Sequence, residues 1–335
     1  MGAAEPSGGP VVAVVGPTAA GKSDLAVTLA LALGGEVVNA DSMQLYRGMD
    51  VGTAKLSAAQ RRGVPHHLLD VLDVTQTASV AEYQSWARAA IADCHARGVV
   101  PVLVGGSALY LRAVVDRFDF PGTDPARRAR LEAELERDGA AALHARLAAV
   151  DPAAAAAILP GNGRRTVRAL EVIELTGGPF TAALPTPEHA YDRVRMVGLD
   201  VARPVLDQRI HARVERMWSD GLVEEVRRLE REGLRRGRTA SRALGYAQVL
   251  AALAGECTQD EARAETARRT RRFARRQDGW FRRDPRVRWV PAADAPPVDA
   301  VLALVRGPAG ESDVVTSPGV SGQTVTPEEA ATDPR

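Results

Sequence analysis

The sequence predicts an α/β fold, a parallel sheet flanked by helices and interrupted by a helical insertion. Three observations carry that prediction. Apolar runs of strand length alternate with helical stretches over the first 118 residues. The first run, Val11–Val15, leads directly into Gly16-Pro17-Thr18-Ala19-Ala20-Gly21-Lys22-Ser23, a complete G-x-x-x-x-G-K-[ST] phosphate loop. From Pro121 to about Gly177 the chain turns Ala- and Arg-rich and almost loses its β-branched runs, which breaks the alternation. Strands alternating with helices form βαβ units and hence a parallel sheet.

Taken in order, the expected strands are Val11–Val15, Glu36–Ala40, His67–Val71 and Val99–Val104, with helices at about Lys22–Leu33, Ser79–Ala96 and Ser107–Val115. Pro121-Gly122-Thr123-Asp124-Pro125 opens the insertion, and Gly177-Gly178-Pro179, Pro185 and Pro187 close it before a return strand at Val194–Val201. Helices resume at Pro204–Ser219, Leu222–Glu232, Ala240–Leu253 and Thr258–Phe281. This divides the chain into a core of residues 10–118 and 192–306, a helical insertion domain of residues 119–191, and a tail, 307–335. The tail is rich in Gly, Pro, Ser, Thr and acids without periodicity and reads as disordered.

At 335 residues the chain can hold two structural units, and nothing in it demands more than a monomer. Net charge is +1, so affinity for a polyanion must come from local patches. Cys94 and Cys257 have neither metal-ligand nor disulfide spacing and fit a reducing cytoplasm. No membrane-spanning stretch, signal peptide or myristoylation signal is recognisable.

A strand running into a tight glycine turn and then a helix aims backbone N–H groups and the helix dipole at one spot. The core is therefore expected to be P-loop NTPase-like. Lys22 would reach the outer phosphates, and the Ser23 hydroxyl would be a ligand to Mg²⁺. Only Lys22 and Lys55 are lysines among the 43 basic residues, which singles out position 22 as one where a compact ammonium is needed.

Asp41-Ser42-Met43-Gln44 follows the second strand, and ligands of such sheets sit at the carboxyl ends of the strands. Asp41 is thus a candidate base or metal-water ligand, or else a cap or turn former. Gly105-Gly106-Ser107 ends another strand on the same rim, where the glycines permit close approach and Ser107 could cap a helix. His66-His67 invites a metal reading, but adjacent strand residues point to opposite faces, which favours a structural role.

Residues 263–288 carry eleven arginines against Glu265, Asp278 and Asp284, a charge excess that favours a polyanion over a merely solvated face. Within this tract Phe273, Gln277, Trp280 and Phe281 recur at helical spacing and are expected to pack on the core. Arg164, Arg165 and Arg168 form a second basic cluster. No N-K-x-D box appears, and Leu68-Leu69-Asp70 is only a weak Walker-B candidate, so nucleotide hydrolysis is poorly supported. Group transfer to a nucleic acid fits the whole set. A small-molecule kinase with an Arg-rich lid, or a non-catalytic RNA-binding protein, remains open on these residues alone.

The ordered segments G-P-T-A-A-G-K-S (from Gly16), D-S-M-Q-L-Y (from Asp41), G-T-A-K (from Gly52) and G-V-P-H-H-L-L-D (from Gly63) resemble the tRNA dimethylallyltransferases. So do G-G-S-A-L-Y (from Gly105), R-A-L-E-V (from Arg168), R-A-L-G-Y (from Arg242) and F-A-R-R-Q (from Phe273), and the likeness runs from about Val11 to Arg283. The resemblance implies transfer of a dimethylallyl group from dimethylallyl diphosphate to N6 of the adenine 3′ of a tRNA anticodon, at position 37 of tRNAs reading codons that begin with U. It implies that Gly16, Pro17, Thr18, Ala19, Ala20, Gly21, Lys22 and Ser23 surround the donor diphosphate, and that Asp41 is the catalytic base assisted by Lys22 and Ser107. Asp41, Ser42, Met43, Gln44, Ser107, Arg128, Arg164, Arg165, Arg168, Arg242, Gly245 and Tyr246 match tRNA-contacting positions. Some positions depart from the family's usual pattern: Ala20 stands for a usual Ser, Ser107-Ala108 for Thr-Gly, and R-R-Q-D-G-W for K-R-Q-x-T-W. The cysteines of the eukaryotic zinc finger are missing, so the bacterial form is implied.

Overall fold

The computed structural model describes residues 9–117, 120–180, 188–292 and 297–307. Six strands form one all-parallel sheet of order β3-β2-β4-β1-β5-β6. They are β1 (Val11–Val15), β2 (Gly35–Asn39), β3 (His66–His67), β4 (Val100–Val104), β5 (Val194–Asp200) and β6 (Val287–Pro291). Helices pack on both faces of the central strand β1, which is why it reads as an unbroken apolar run. The two-residue period of a strand sends Val11, Ala13 and Val15 into one core and Val12 and Val14 into the other. On the second face lie α1 (Lys22–Leu33) and α11 (Val298–Arg306). The first face is covered by α2 (Val80–Ala96), α3 (Ala108–Val115), α8 (Leu222–Arg231) and α9 (Tyr246–Leu253). α7 (Arg203–Ser219) packs with α10 (Gln259–Arg282), and Leu206, Ile210 and Ala274 from these two close over Ala19 of the phosphate loop.

Boundaries follow local chemistry. Ser79 with Glu82 and Thr258 with Glu261 make capping boxes that start α2 and α10. β3 is far shorter than expected, since Leu68 (φ 61°) and Asp70 (φ 58°) turn the chain into the left-handed region. The expected helix Ala240–Leu253 is a short 3₁₀ turn at Ala240–Arg242 and then α9, separated at Gly245 (φ 88°). β6 and α11 were not anticipated: Arg286 and Arg288 had been absorbed into the basic tract, although Arg288 sits within the edge strand β6. The insertion contains α4 (Pro125–Val150), kinked at Gly139, α5 (Pro152–Ala157) and α6 (Gly163–Thr176). Leu131, Leu143, Leu147 and Leu170 give it a core of its own. The boundary at 118–119, the closing prolines Pro185 and Pro187, and the tail beyond Gly307 lie outside the described residues. Among the described residues no helix is long and apolar enough to cross a membrane.

One expectation about α10 is corrected. Its buried face is Ala262, Thr266, Ala267, Ala274, Gln277 and Phe281, whereas Phe273 and Trp280 stand exposed at 36% and 50%. Small residues let the helix sit close to α7 and leave those two rings no wall to pack against.

His66 and His67 do point to opposite sides. His67 Nε2 is 2.7 Å from Glu36, beside the buried Cys94. These three offer ligand atoms within 4.8 Å of one another. Arg97, however, grips both Glu36 oxygens at 2.7 and 2.8 Å and already supplies the charge a cation would bring, while burial pushes the Cys94 thiol up to about 11. The cluster is an ion-pair hub joining β2, β3 and α2. The Arg97 hydrogen bonds hold the Glu36 carboxyl down to about 2. A carboxylate with a depressed pKa stabilises the fold above its unfolded value, near 4.5, and loses that stabilisation as pH falls toward 2. Glu36→Gln is therefore expected to lower stability by about 1–2 kcal/mol at pH 7 and by almost nothing near pH 2. Urea unfolding at a series of pH values measures this.

Candidate active site at the phosphate loop

The loop after β1 bends through Gly16 (φ 133°), Ala19 (φ 65°) and Gly21 (φ 92°). A left-handed Ala is strained, and such strain gathers at ligand clamps. Gly21 occupies the N-cap position of α1 without a side-chain cap, so the first-turn amides are left for an anion. Lys22 Nζ donates to Pro17 O at 2.7 Å, folding the ammonium back over the loop. Burial pushes its pKa down to about 7, with Arg213 adding to the shift and Asp41 opposing it. Arg213, on α7, also donates to Thr18 Oγ1 at 3.2 Å. It was not a sequence candidate, because nothing in an arginine-rich helix marks the one arginine that turns inward.

Across the rim, Asp41 is held by Asn39. The buried Asn39 amide accepts from Asp41 N at 3.0 Å and donates to the Asp41 and Leu68 carbonyls, each at 3.0 Å. Asp41 Oδ1 in turn accepts from Met43 N at 2.8 Å, so Asp41 forms the turn while its charge acts on Lys22. Gln44 donates to Thr53 O at 3.2 Å, and Ser42 is half-buried beside it. Lys55 pins this segment from below, reaching Tyr46 O at 2.9 Å, Asp50 at 2.7 Å and Asp70 at 2.6 Å.

Gly105 and Gly106 complete the rim. Neither has positive φ; what they provide is closeness. A Cβ on Gly105 would lie 2.4 Å from Ala40 O, and one on Gly106 2.2 Å from Gln277 Nε2. Ser107 sits at the N-cap of α3 without making the cap hydrogen bond, so its hydroxyl is not committed to the helix. Ala108 begins α3 in ordinary helical geometry, so the missing glycine does no harm there. Gln277 joins the two halves of the site: Oε1 accepts from Thr18 N at 2.8 Å, and Nε2 donates to Gly106 O at 2.9 Å. Gln277 does lie on the packed face of α10, as its spacing predicts, but its contacts with the loop and the Gly106 rim have no mark in the sequence.

Ser23, Asn39, Gln44 and His66 line one small cleft with Val37, Leu56, Leu69 and Val104. His66 Nδ1 donates to Val64 O at 2.8 Å, which leaves Nε2 as a buried acceptor without a partner. The Ser23 and Gln44 oxygens suit a hard cation that keeps most of its water and takes phosphate oxygens, as Mg²⁺ does.

The remaining candidates divide. Gly245 and Tyr246 are corrected: both are buried and present no surface to a macromolecule. Tyr246 donates to Glu225 at 2.5 Å, and Glu225 accepts from the amides of Asp50, Val51 and Gly52, so this segment supports the 41–55 loop from beneath. Arg242, just before it, is exposed. Arg128 and Arg168 both bind the buried Glu171, and Arg168 also donates to Pro121 O and Gly122 O, which fixes the start of the insertion. Arg164 and Arg165 are exposed at the start of α6.

A parallel sheet whose central strand feeds a phosphate loop, with an acidic rim two strands away beyond β4, defines a phosphate-binding α/β protein of P-loop type. The sequence profile of the IPP transferase family matches residues 44–284. A tRNA dimethylallyltransferase of Streptomyces coelicolor is 71% identical over 280 residues, 84% of this chain and 89% of that protein. One from Thermobifida fusca is 67% identical over 301 residues, 88% and 94% of the two chains. Among solved structures, the full-length tRNA isopentenylpyrophosphate transferase of Bacillus halodurans is similar with TM-score 0.65 and 41% identity, covering 88% of this chain and 94% of that one. A eukaryotic dimethylallyltransferase acting on tRNA is similar with TM-score 0.73 and 25% identity, covering 85% and 74%. The chain belongs to the IPP transferase family.

Proposed function

We propose that this chain transfers a dimethylallyl group from dimethylallyl diphosphate to N6 of adenine 37 in tRNAs reading codons that begin with U, releasing pyrophosphate. It acts as a cytoplasmic monomer, and residues 119–191 form a domain that contacts the tRNA. The observation that supports this most is the meeting, on one rim, of an anion-binding loop headed by Lys22 and a carboxylate, Asp41, whose charge acts on Lys22 and whose backbone Asn39 holds. Membership of the IPP transferase family and relatives named tRNA dimethylallyltransferases point the same way.

In this reading the N6 lone pair attacks C1 of the donor while the C1–O bond breaks, its electrons passing to the departing diphosphate. Lys22 and the first-turn amides of α1 stabilise the charge that builds there. The N6 proton goes to the Asp41 carboxylate, a positioned base worth roughly 10²–10⁴-fold. Mg²⁺ on Ser23, when bound, supplies further charge neutralisation to the diphosphate. Gln277 keeps the loop and the Gly106 rim at one spacing, so that donor and acceptor meet in reacting geometry. Arg164, Arg165 and Arg242 are exposed and offer cationic surface for tRNA phosphates, with Ser42, Met43, Gln44 and Ser107 near the adenine.

The test is incubation with radiolabelled dimethylallyl diphosphate, Mg²⁺ and an anticodon stem-loop RNA. Label enters the RNA without ATP and is lost when adenine 37 becomes guanine. No transfer to that RNA or to whole tRNA, with ATP consumed in the presence of a metabolite, would replace this reading with a kinase. Replacing Arg164 and Arg165 by Gln is expected to weaken tRNA binding and reduce its log–log salt slope by about 1–2, read from binding isotherms at several salt concentrations.

A further inference from the structure

Four helices of the core meet around a cleft of about 270 Å³ that shares no lining residue with the cleft at Ser23. Trp218 of α7, Arg227 of α8, Val249 of α9 and Ala262 of α10 line it. Val249 and Ala262 are buried, as is Val223 beside them, so much of the wall is aliphatic. At about 30 Å³ per molecule of liquid, about nine waters would fill such a space, and no single bridging water closes it. Polar groups enter the wall at Trp218 and Arg227, and both are donors only. The Trp218 indole nitrogen is buried and has no acceptor among the described residues. Arg227 holds Glu224 loosely, at 3.4 Å between exposed side chains. Glu215 on α7 and Asp260 on α10 are already engaged by Arg263, at 3.3 and 2.8 Å.

We propose that this cleft is a binding site for a small apolar carboxylate, a molecule with a hydrocarbon body and one anionic head. A buried donor without an acceptor is costly, and a carboxylate brings two accepting oxygens to an indole N–H and a guanidinium that line one cleft. A cationic head would leave the indole unanswered and meet Arg227 with like charge. The hydrocarbon body displaces water from the aliphatic wall, which drives binding. At about 270 Å³ the cleft lies just below the usual range of ligand pockets, about 300–1,000 Å³, and so fits a small molecule. Three of its helices also carry Arg213, Glu225 and Gln277 to the phosphate loop, the 50–52 amides and the Gly106 rim. The occupant therefore sits among elements that hold the phosphate site, yet touches none of the residues assigned to it.

The experiment is calorimetric titration of the full chain with sodium octanoate below its micelle concentration, with thermal unfolding in parallel. Saturable one-to-one binding is expected, with Kd at or below about 1 mM for a ligand of about ten heavy atoms. The unfolding midpoint should rise with octanoate, because only the folded chain has the cleft. Acetate, which lacks the body, and octanol, which lacks the charge, should each bind at least about tenfold more weakly. Trp218→Phe and Arg227→Gln are each expected to weaken octanoate by about three- to tenfold. Arg227→Gln should leave octanol unchanged, which separates loss of charge from loss of fold. Ala252→Leu, at a half-buried lining position, should fill the cleft and abolish binding. Octanoate bound by all three variants as tightly as by the wild type would place it elsewhere and overturn the site. Octanol binding as tightly as octanoate would overturn the anionic head. Displacement of octanoate by pyrophosphate would move it to the phosphate loop and equally sink the proposal. Neither heat nor midpoint shift up to about 10 mM, ten times the expected Kd, would make the cleft a mere surface irregularity.

Discussion

Asp41→Asn is expected to lower kcat by roughly 10²–10⁴-fold while leaving tRNA affinity within about twofold. Asparagine is the informative replacement here. Its amide oxygen can still accept from Met43 N, and its backbone still meets the Asn39 amide, so the turn that shapes the rim survives. Only the negative charge and the ability to take a proton are removed. Asp41→Ala would lose the turn as well, and a loss of activity there could not be divided between shape and chemistry. Single-turnover transfer at saturating donor and RNA is the measurement. A near-normal rate in Asp41→Asn would mean that the carboxylate builds the loop and that the N6 proton leaves by another route.

The second large effect is at Lys22. Lys22→Met should weaken donor or pyrophosphate binding by about 100-fold or more and lower turnover, with tRNA binding retained. The pH dependence gives this a sign. In the free protein burial brings the Lys22 ammonium down to about 7, so above that pH it is increasingly neutral. A bound diphosphate favours the charged form and raises the pKa, so binding takes up a proton. Wild-type affinity should therefore be flat below about pH 7 and fall by up to tenfold per unit above it, until the pKa of the complex is reached. In Lys22→Met that slope disappears. Calorimetry in two buffers of different ionisation enthalpy reads the proton uptake directly. Absence of uptake near pH 8 would mean that Lys22 stays charged in the empty loop.

Much of this was legible in the sequence, for definable reasons. Buried parallel strands must be apolar on both faces, so β1 and β4 announce themselves. The phosphate loop is a contiguous motif whose geometry its glycines dictate, and the rim residues follow their strands at once. What the sequence hid is whatever depends on contacts distant along the chain. Gln277 meets Thr18 and Gly106 across long stretches, and Arg213 meets Thr18 in the same way. Asn39 was overlooked because its work is to hold the backbone of the residue that had been singled out. Tyr246 was assigned to the tRNA surface by likeness of motif, and its burial under Gly52 shows how a motif can mark a support as readily as a contact. Phe273 and Trp280 failed the other way: helical spacing places residues on a common face, but which face is buried depends on what packs there.

The fate of the two lysines has a practical consequence. Lys55 is sealed, its side chain only 2% exposed and its three protons engaged by Tyr46 O, Asp50 and Asp70. Lys22 differs: it is half-buried beside the phosphate loop, and burial holds its amine near neutrality. The other 41 of the 43 Lys and Arg side chains are arginines, inert to acylating reagents. An amine-directed probe at mild pH thus has two targets on the native chain, Lys22 and the terminal amino group, and only the first is shielded by pyrophosphate. Occupancy of the donor site can be followed by peptide mass alone, on unmodified protein, with no substitution to disturb it.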